Sequence, residues 1–406
     1  MKNWAGNVTY STPRILRPAS VAEAQELVAT FDTIRPIGTR HSFSLVGDSC
    51  RDGALLSTEH LDRVVDVDGA SVTVEAGIRY GDLATALHER GLAVANLASL
   101  PHISVGGAIA TSTHGSGTGN QSLAAAVSSL ELVQSDGSLV RLQRGEDDFD
   151  GAVVGLGALG LVVRATLDVV AAFELRQYVF ENLPWSSVES DLDAILADGY
   201  SVSLFTMWAD PGIDQAWVKT RDELHSFFGG TPATEARNPV TGGDPQNCTE
   251  QLGVPGPSGD RLPHFRLGFT PSGGDELQSE YAIGREHAAQ AITELRRLGP
   301  LITPLLLTSE IRTVAADTLW LSPFFERDTV CFHFTWKPLD AEVRAILRRI
   351  DEALAPFAPR PHWGKVFTMA PAEIEAAYPK LPAFRQLRER LDPGGKFRNE
   401  FVARYV

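Results

Sequence analysis

The chain has 406 residues, and its 36 Lys and Arg against 51 Asp and Glu give a formal net charge of −15. Apolar residues make up 43% and charged residues 21%, which is ordinary for a folded protein and excludes a disordered or fibrous chain. Because nucleic acids and anionic membranes bind clustered Lys and Arg, the acidic balance argues against both as partners.

Residues 1–6 lack the apolar core of a secretory signal, and no apolar run approaches the roughly 18 residues of a membrane helix. The three cysteines, Cys50, Cys248 and Cys331, lie far apart and form no Cys-x-x-Cys pair. A sparse, odd set of cysteines favours the reducing cytoplasm and argues against a disulfide framework or a structural zinc. We therefore expect a cytoplasmic protein of two or three domains that holds no metal.

The first part of the chain mixes strand and helix patterns. A helix begins after Ser20, because Ser20 and Glu23 have the spacing of a capping box, and a second helix spans 82–89 and ends at Gly91. Since these elements lack the regular alternation of a Rossmann domain or barrel, we expect an α+β domain up to about residue 172. The predicted strands lie at 34–37, 54–57, 64–67 and 72–76, and a hairpin is predicted from 130–134 and 139–142.

The second part begins with strand patterns at 202–208 and 216–219. The Gly- and Pro-rich connection over 229–263 is typical of a functional or covering loop. The remaining pattern predicts a long amphipathic helix at 276–298, strands at 305–313 and 330–336, and a helix at 340–354.

Two glycine-rich segments suggest contact with a ligand. Residues 155–160 match the dinucleotide fingerprint, but an alternating strand pattern follows where a helix is needed, so we reject a Rossmann site and expect a turn between strands. Residues 104–119 carry mostly tiny or hydroxylic side chains, which lets a backbone approach a diphosphate closely. The alternative is a flexible surface loop, but Val105 and Ile109 give the segment something to pack, which favours the ligand cradle.

A turn at 38–43 follows the strand at 34–37 and contains His41. A turn glycine, hydroxyl groups and an imidazole could contact a phosphate or cofactor. A lone histidine is, however, equally typical of a core or surface position, and the pattern alone does not decide between them.

Several polar side chains interrupt apolar elements late in the chain. Glu310 and Arg312 are two residues apart on a predicted strand and therefore share one face, as do His333 and Thr335 on another. Lys365 is a cation among bulky apolar residues. Glu310 and Arg312 alone could be a structural ion pair. Together, these groups predict a polar pocket for a neutral, polyhydroxylated ligand.

At these residues the sequence resembles the alditol (xylitol) oxidases, in the flavin-linked family typified by vanillyl-alcohol oxidase, over essentially the whole chain. The earlier motifs occur widely among flavin oxidases, whereas those from residue 247 onward are specific to alditol oxidases. The segments that carry the resemblance are 3–7, 41–43, 98–105, 113–117, 247–251, 310–317, 333–336 and 360–367.

The resemblance implies a two-domain α+β fold and FAD as cofactor. The FAD-binding domain would span 1–172, a substrate or cap domain with an antiparallel sheet would span 173–365, and the C-terminal segment 366–406 would complete the first domain. His41 would bond covalently to the 8α-methyl carbon of the flavin. The expected FAD contacts are Ile37, Gly38, Thr39, Arg40, His41, Ser42, Ser99, Ser104, Gly106, Gly107, Ala108, Ala110, Thr111, His114, Gly160, Val162 and His362.

The resemblance also implies oxidation of the terminal primary alcohol of an alditol by hydride transfer to flavin N5, with dioxygen reduced to hydrogen peroxide. Arg312 and Lys365 would be the catalytic residues and would stabilise the developing negative charge. Ala98 would gate the access of oxygen to the flavin. The substrate would be bound by Ser99, Glu310, Arg312, Thr335 and Lys365, with His333 beside them.

One position departs from the family pattern. A glycine usually precedes the flavin-linking histidine, whereas this chain has Arg40, which is strained if the position requires a positive φ. Two other functions remain possible at this stage: an aldonolactone or sugar dehydrogenase of the same fold with a different electron acceptor, and a polyol-binding protein without catalysis. We expect a monomer.

Overall fold

The computed structural model describes residues 1–240, 242–269 and 275–406. In the first domain, a three-stranded parallel sheet is formed by Ile15–Leu16, Ala54–Ser57 and Ile34–Ile37, in that order. The helix Val21–Thr30 begins where predicted, since the Ser20 side chain accepts a hydrogen bond from the Glu23 N–H. Its buried residues Ala24 and Val28 join a cluster with Ile34.

A five-stranded antiparallel sheet forms the other layer of this domain. Its two strands Val127–Val133 and Leu139–Gln143 are antiparallel neighbours, which confirms the predicted hairpin. The helices Tyr80–His88, Val105–Ala110 and Phe149–Ala152 belong to the same part of the chain. The strand order of the sheet is Val64–Val67, Ser71–Glu75, Leu161–Asp168, Val127–Val133, Leu139–Gln143.

The second domain is built on a nine-stranded antiparallel sheet. Every residue of Thr329–Trp336 is buried, and Phe332 and Phe334 on one face of this strand pack against Trp208. The helices of this part are Trp185–Ala197, Ala288–Ile302 and Asp340–Leu354. The strand order is Thr231–Pro232, Glu174–Pro184, Gly212–Thr220, Ser201–Thr206, Leu306–Val314, Thr329–Trp336, Leu277–Gly284, Arg360–Pro361, with Gly256–Pro257 paired to Glu174–Pro184.

The C-terminal segment forms hydrogen bonds to residues of the first sheet and the loop after it. It contains the helices Pro371–Ala377, Leu381–Leu391 and Glu400–Tyr405. The Ile34 N–H donates to the Lys396 carbonyl at 3.0 Å, and the Asn399 side-chain amide donates to the Asp48 carbonyl at 2.8 Å.

Arg35 is the main polar link between these segments, and it is 1% exposed. Its guanidinium donates to the carbonyls of Val46 (2.8 Å), Gly157 (2.9 Å) and Phe397 (2.8 Å). Backbone carbonyls thus satisfy a buried cation, and burial lowers its pKa to about 9. One side chain therefore joins the first sheet, the 155–160 turn and the C-terminal segment.

Two predicted elements differ from the structure. The long helix at 276–298 is wrong in its first half: Leu277–Gly284 is a strand, and the helix begins only at Ala288. The apolar residues Leu277 and Tyr281 are four apart, as on one face of a helix. The segment is nevertheless a strand, because it forms backbone hydrogen bonds with Thr329–Trp336. The turn at 155–160 does lead into a strand, as expected, but it follows the helix Phe149–Ala152 rather than another strand.

The Gly- and Pro-rich connection at 229–263 is largely irregular, as predicted, with residue 241 outside the described residues. Several of its residues line the cavity described below, among them Asn238, Asp244 and Asn247. Across the described residues, no helix is both long and apolar enough to cross a lipid bilayer.

Candidate active site

A cavity of about 610 Å³ is lined by residues of both domains. This volume is within the range of cofactor and substrate sites. All the site residues predicted from the sequence line it, namely Ile37, Gly38, Thr39, Arg40, His41, Ser42, Ala98, Ser99, Ser104, Gly106, Gly107, Ala108, Ala110, Thr111, His114, Gly160, Val162, Glu310, Arg312, His333, Thr335, His362 and Lys365.

One wall of the cavity is bare backbone. A Cβ on Gly38 would lie 2.2 Å from Ser104 Oγ, and a Cβ on Gly107 would lie 3.0 Å from the same atom. The Ser104 hydroxyl is buried and has no hydrogen-bond partner among the described residues. A tightly packed glycine wall with an unsatisfied hydroxyl fits a phosphate-bearing ligand such as FAD, because the hydroxyl can donate to it.

His41 lies on a turn that is fixed from two sides. Its ring stacks on Trp4 with 5.0 Å between centroids, and the Phe43 N–H donates to the Gly364 carbonyl at 2.6 Å. Burial lowers the pKa of His41 to about 4, so the imidazole is neutral at pH 7. The preceding Arg40 has φ 65°, so the position does require the left-handed conformation that favours glycine.

The polar side of the cavity comes from adjacent strands of the large sheet. As predicted, Glu310 and Arg312 emerge together, with 3.4 Å between a guanidinium nitrogen and a carboxylate oxygen. Arg312 also lies 3.2 Å from the Ser99 hydroxyl of the first domain. On the neighbouring strand, His333 Nε2 is 3.1 Å from Thr335 Oγ1. The predicted polar residues are thus one connected group.

Glu280, which sequence reasoning missed, lies at the centre of this group. Its carboxylate contacts Lys365 Nζ, and it lies 2.7 Å from His114 Nε2 and 3.4 Å from the Arg312 guanidinium. Burial would raise the pKa of Glu280, but Lys365, His114 and Arg312 outweigh it and hold this pKa well below its usual range. Glu280 was missed because its strand was assigned to a helix; a lone carboxylate in an apolar strand was the available signal.

Lys365 is held between Glu280 and His333, with its Nζ 2.6 Å from His333 Nδ1. Burial lowers the pKa of Lys365, and the Glu280 carboxylate opposes this effect. Burial and the neighbouring ammonium lower the pKa of His333 to about 4. The imidazole is therefore neutral, and it accepts from Lys365 at Nδ1 and donates from Nε2 to Thr335.

Sequence reasoning also missed the pair Lys219 and His264, which contacts Glu310 through His264. Lys219 Nζ lies 3.1 Å from His264 Nδ1, and His264 Nε2 lies 3.0 Å from the Glu310 carboxylate. Burial would raise the pKa of Glu310, but Arg312 and His264 lower it below its usual range. The signal for Lys219 was a charge at the end of the apolar run 216–218.

The donor atoms of His114, Glu280 and Cys331 lie within 4.8 Å of one another. Glu280 already faces the cationic Lys365 and Arg312, which would repel a metal ion placed there. This grouping therefore belongs to the buried ion-pair network.

Comparison with known proteins agrees with this geometry. Residues 12–143 match the model of the FAD-binding domain family, and residues 275–405 match that of the D-arabinono-1,4-lactone oxidase family. The chain is 49% identical to an alditol oxidase of a Streptomyces species, over 98% of this chain and 97% of that protein. It is 31% identical to an L-gulono-1,4-lactone dehydrogenase of Mycobacterium tuberculosis, over 100% of this chain and 98% of that protein.

Among solved structures, a cholesterol oxidase from B. sterolicum has the same fold, with a TM-score of 0.81 and 17% identity over 99% of this chain and 95% of that one. The predicted two-domain α+β fold is confirmed, and the fold and the cavity define an FAD-dependent oxidoreductase. More specifically, the chain belongs to the flavoprotein family typified by vanillyl-alcohol oxidase, in which the Streptomyces alditol oxidase is one of its relatives. A polyol-binding protein without catalysis is therefore no longer an alternative.

Proposed function

We propose that the protein oxidises the terminal primary alcohol of an alditol, such as xylitol, sorbitol or glycerol, to the aldose, while dioxygen is reduced to hydrogen peroxide. The observation that carries this proposal is the buried group of Glu310, Arg312, Thr335 and Lys365 on one side of the cavity. A carboxylate, a guanidinium, a hydroxyl and an amine offer both donors and acceptors, as a chain of hydroxyl groups requires. The 49% identity to an alditol oxidase supports the same substrate class.

FAD, when bound, supplies the acceptor for the hydride from the alcohol carbon and passes the two electrons to dioxygen. The glycine wall of Gly38, Ser104 and Gly107 is suited to hold its diphosphate. We propose that His41 forms the covalent bond to the flavin, since its neutral imidazole lines the cavity. Its Nδ1 lies 3.0 Å from Thr39 Oγ1, and its Nε2 has no hydrogen-bond partner among the described residues. A covalent bond would keep the cofactor in place.

The protein's own residues then handle the proton and the developing charge. Burial lowers the pKa of Lys365 and so favours its neutral form, which takes up the hydroxyl proton; the resulting ammonium pairs with Glu280. Arg312 stabilises the alkoxide while it forms. Glu310, Ser99 and Thr335 hydrogen-bond the other hydroxyl groups and so select the chain length and stereochemistry of the substrate.

The alternative is a dehydrogenase of an aldonolactone or sugar with an acceptor other than oxygen, and the 31% identity to a lactone dehydrogenase supports it. The purified FAD-loaded protein should be mixed with xylitol, sorbitol, glycerol and L-gulono-1,4-lactone, and oxygen uptake and peroxide should be measured. One peroxide per alditol oxidised is the expected result. Turnover of the lactone with a dye but without peroxide would favour the alternative.

We also propose that the protein acts in the cytoplasm as a monomer. Its three thiols, Cys50, Cys248 and Cys331, are all free, as expected of a reducing compartment. Sedimentation of the purified protein and fractionation of cells are the corresponding tests.

A further inference from the structure

Lys219 is a fully buried lysine that does not line the cavity. It is 1% exposed, its Nζ contacts the Leu262 carbonyl, and it lies 3.1 Å from His264 Nδ1. Among the described residues, no carboxylate lies within ion-pair distance of it. Burial lowers the pKa of Lys219 to about 7, since an ammonium without a directly paired carboxylate is costly to bury.

Two contacts determine which nitrogen of His264 carries hydrogen. Burial lowers the pKa of His264 to about 4, so the ring is neutral. The Glu310 carboxylate can only accept, so the hydrogen is on Nε2, and Nδ1 accepts from Lys219. Nε2 lies 3.0 Å from the Glu310 carboxylate and donates to it. The ring is held edge-on by Trp217 and Phe205, at 5.2 and 5.4 Å between centroids.

A related arrangement occurs on the neighbouring strand, where Lys365 lies 2.6 Å from His333 Nδ1 and His333 Nε2 lies 3.1 Å from Thr335 Oγ1. Here Nδ1 also lies 3.2 Å from the Glu280 carboxylate. In both cases a lysine fixes a histidine, which donates to a side chain of the cavity. The outcome differs with the acceptor. Glu310 keeps only lone pairs for a ligand, whereas Thr335 has accepted a hydrogen bond and retains its own O–H to donate.

We infer that Lys219 is a positioning residue, which acts through His264 to fix the orientation of the Glu310 carboxylate, so that its free lone pairs accept from a substrate hydroxyl. This inference rests on the proposed oxidation of alditols and specifies how the site recognises them. A ligand must offer an O–H to Glu310 and a lone pair to Thr335. A hydroxyl chain offers both, whereas a carbonyl or carboxylate oxygen offers nothing to Glu310.

The first test is the Lys219→Met variant, which keeps the length of the side chain and removes its donor. We expect KM for xylitol to rise about tenfold with kcat little changed, as for the loss of one charge-assisted hydrogen bond to the substrate. In a Glu310→Gln background the same substitution should change KM less than about twofold, because the Glu310 carboxylate through which Lys219 acts is absent. Equal effects in both backgrounds would mean general loosening of the site and would overturn the inference.

A second pair of variants serves if Lys219→Met does not fold. His264→Gln retains an N–H donor for Glu310, whereas His264→Leu removes it. We expect KM to stay within about threefold of wild type for His264→Gln and to rise about tenfold for His264→Leu. The same KM in both variants would contradict an action of Lys219 on Glu310 through His264, which we call the relay.

A nitrogen-15 NMR spectrum of the FAD-loaded protein tests the relay without turnover, with the His264 signals assigned through His264→Gln. We expect the hydrogen on Nε2 in both the wild type and Lys219→Met, with the Nδ1 signal of the variant shifted to that of a nitrogen that accepts no hydrogen bond. A hydrogen on Nδ1 in the wild type would refute the relay. Absence of alditol turnover by a wild type with the expected tautomer would instead refute only the proposed function.

Discussion

The Glu280 carboxylate contacts the Lys365 ammonium at the base of the cavity, where their side chains are only 2% and 13% exposed. These residues come from separate strands and loops of the second domain, and Glu280 is bonded in turn to His114 of the first domain at 2.7 Å. The charge that acts on the substrate is therefore balanced at the junction between the two domains. Glu280 is therefore expected to contribute both to the proposed proton transfer and to the stability of the protein.

Replacing Lys365 by Met should slow anaerobic reduction of the enzyme by xylitol about 10²- to 10⁴-fold, the usual contribution of a positioned base. In the wild type, the rate should increase with pH through the lowered pKa of Lys365, because only the neutral amine accepts a proton. The variant should lack this increase. Stopped-flow absorbance measures both effects.

The matched control is Lys337→Met, since the Lys337 ammonium is exposed and donates to the Pro304 carbonyl at 2.7 Å. It should reduce at the wild-type rate. An unchanged rate in Lys365→Met would exclude the role assigned to Lys365.

Glu280→Gln should lower the free energy of unfolding by about 3–5 kcal/mol, because it leaves Lys365 and Arg312 buried without their shared carboxylate. Urea denaturation of the holoenzyme measures this change. As a control, Glu59→Gln breaks a surface pair with Arg17, whose side chains are 46% and 44% exposed, and should have little effect. Similar losses in both variants would contradict the central role of Glu280.

Arg40→Gly should stabilise the protein by about 1 kcal/mol, since a positive φ costs arginine about 1–2 kcal/mol and glycine gains some entropy on unfolding. Thermal denaturation would show a higher Tm. The converse variant is Gly91→Ala, at φ 71° with nothing within 4 Å of the added Cβ, and it should lower the Tm by a similar amount. A lower Tm for Arg40→Gly would show that the Arg40 side chain contributes more than its strain.

Acid precipitation tests the covalent bond to His41. The yellow colour of the wild-type protein should stay with the pellet, whereas in His41→Ala it should pass to the supernatant. The ring of His41 stacks on Trp4, so Trp4→Phe provides a control that disturbs the stacking partner and should keep the colour in the pellet. Colour in the wild-type supernatant would rule out the bond.

Ala98 lines the cavity and is 7% exposed, next to the predicted substrate-binding Ser99. If it restricts the path of oxygen, reoxidation of the reduced enzyme by dioxygen should become faster in Ala98→Gly and slower in Ala98→Val. The reduction rate by xylitol should change less than the reoxidation rate. Equal reoxidation rates in all three proteins would refute gating at this position.

Local patterns predicted much of this fold from the sequence. The strands Ile34–Ile37 and Ala54–Ser57 and the helix Asp340–Leu354 have their predicted bounds. The helix buries Val343, Leu347 and Ile350 at helical spacing, whereas the two strands are short runs that are almost wholly buried. The strand Leu277–Gly284 was not predicted, because its pairing with strands more distant in the sequence, rather than its own composition, determines its structure.

The site residues likewise fall into those that the sequence indicated and those that only the folded structure shows. The period of a strand predicted that Glu310 and Arg312 share a face, and family resemblance added Ser99 and Lys365. Neither source indicated Lys219, because it reaches the cavity only through a histidine that lies on an irregular segment. Contacts of this kind depend on which segments the folded chain brings together.

The contacts of Arg35 with the carbonyls of Val46, Gly157 and Phe397 have a consequence for how the protein folds. The partner carbonyl of Arg35 at Phe397 lies 362 residues further along the chain, whereas that of Val46 is only 11 residues away. The guanidinium that contacts the turn at Gly157 therefore has all of these partners only when distant segments have come together. Because this turn lines the cavity, the shape of the cofactor site depends on contacts of long sequence separation, which are slow to form during folding.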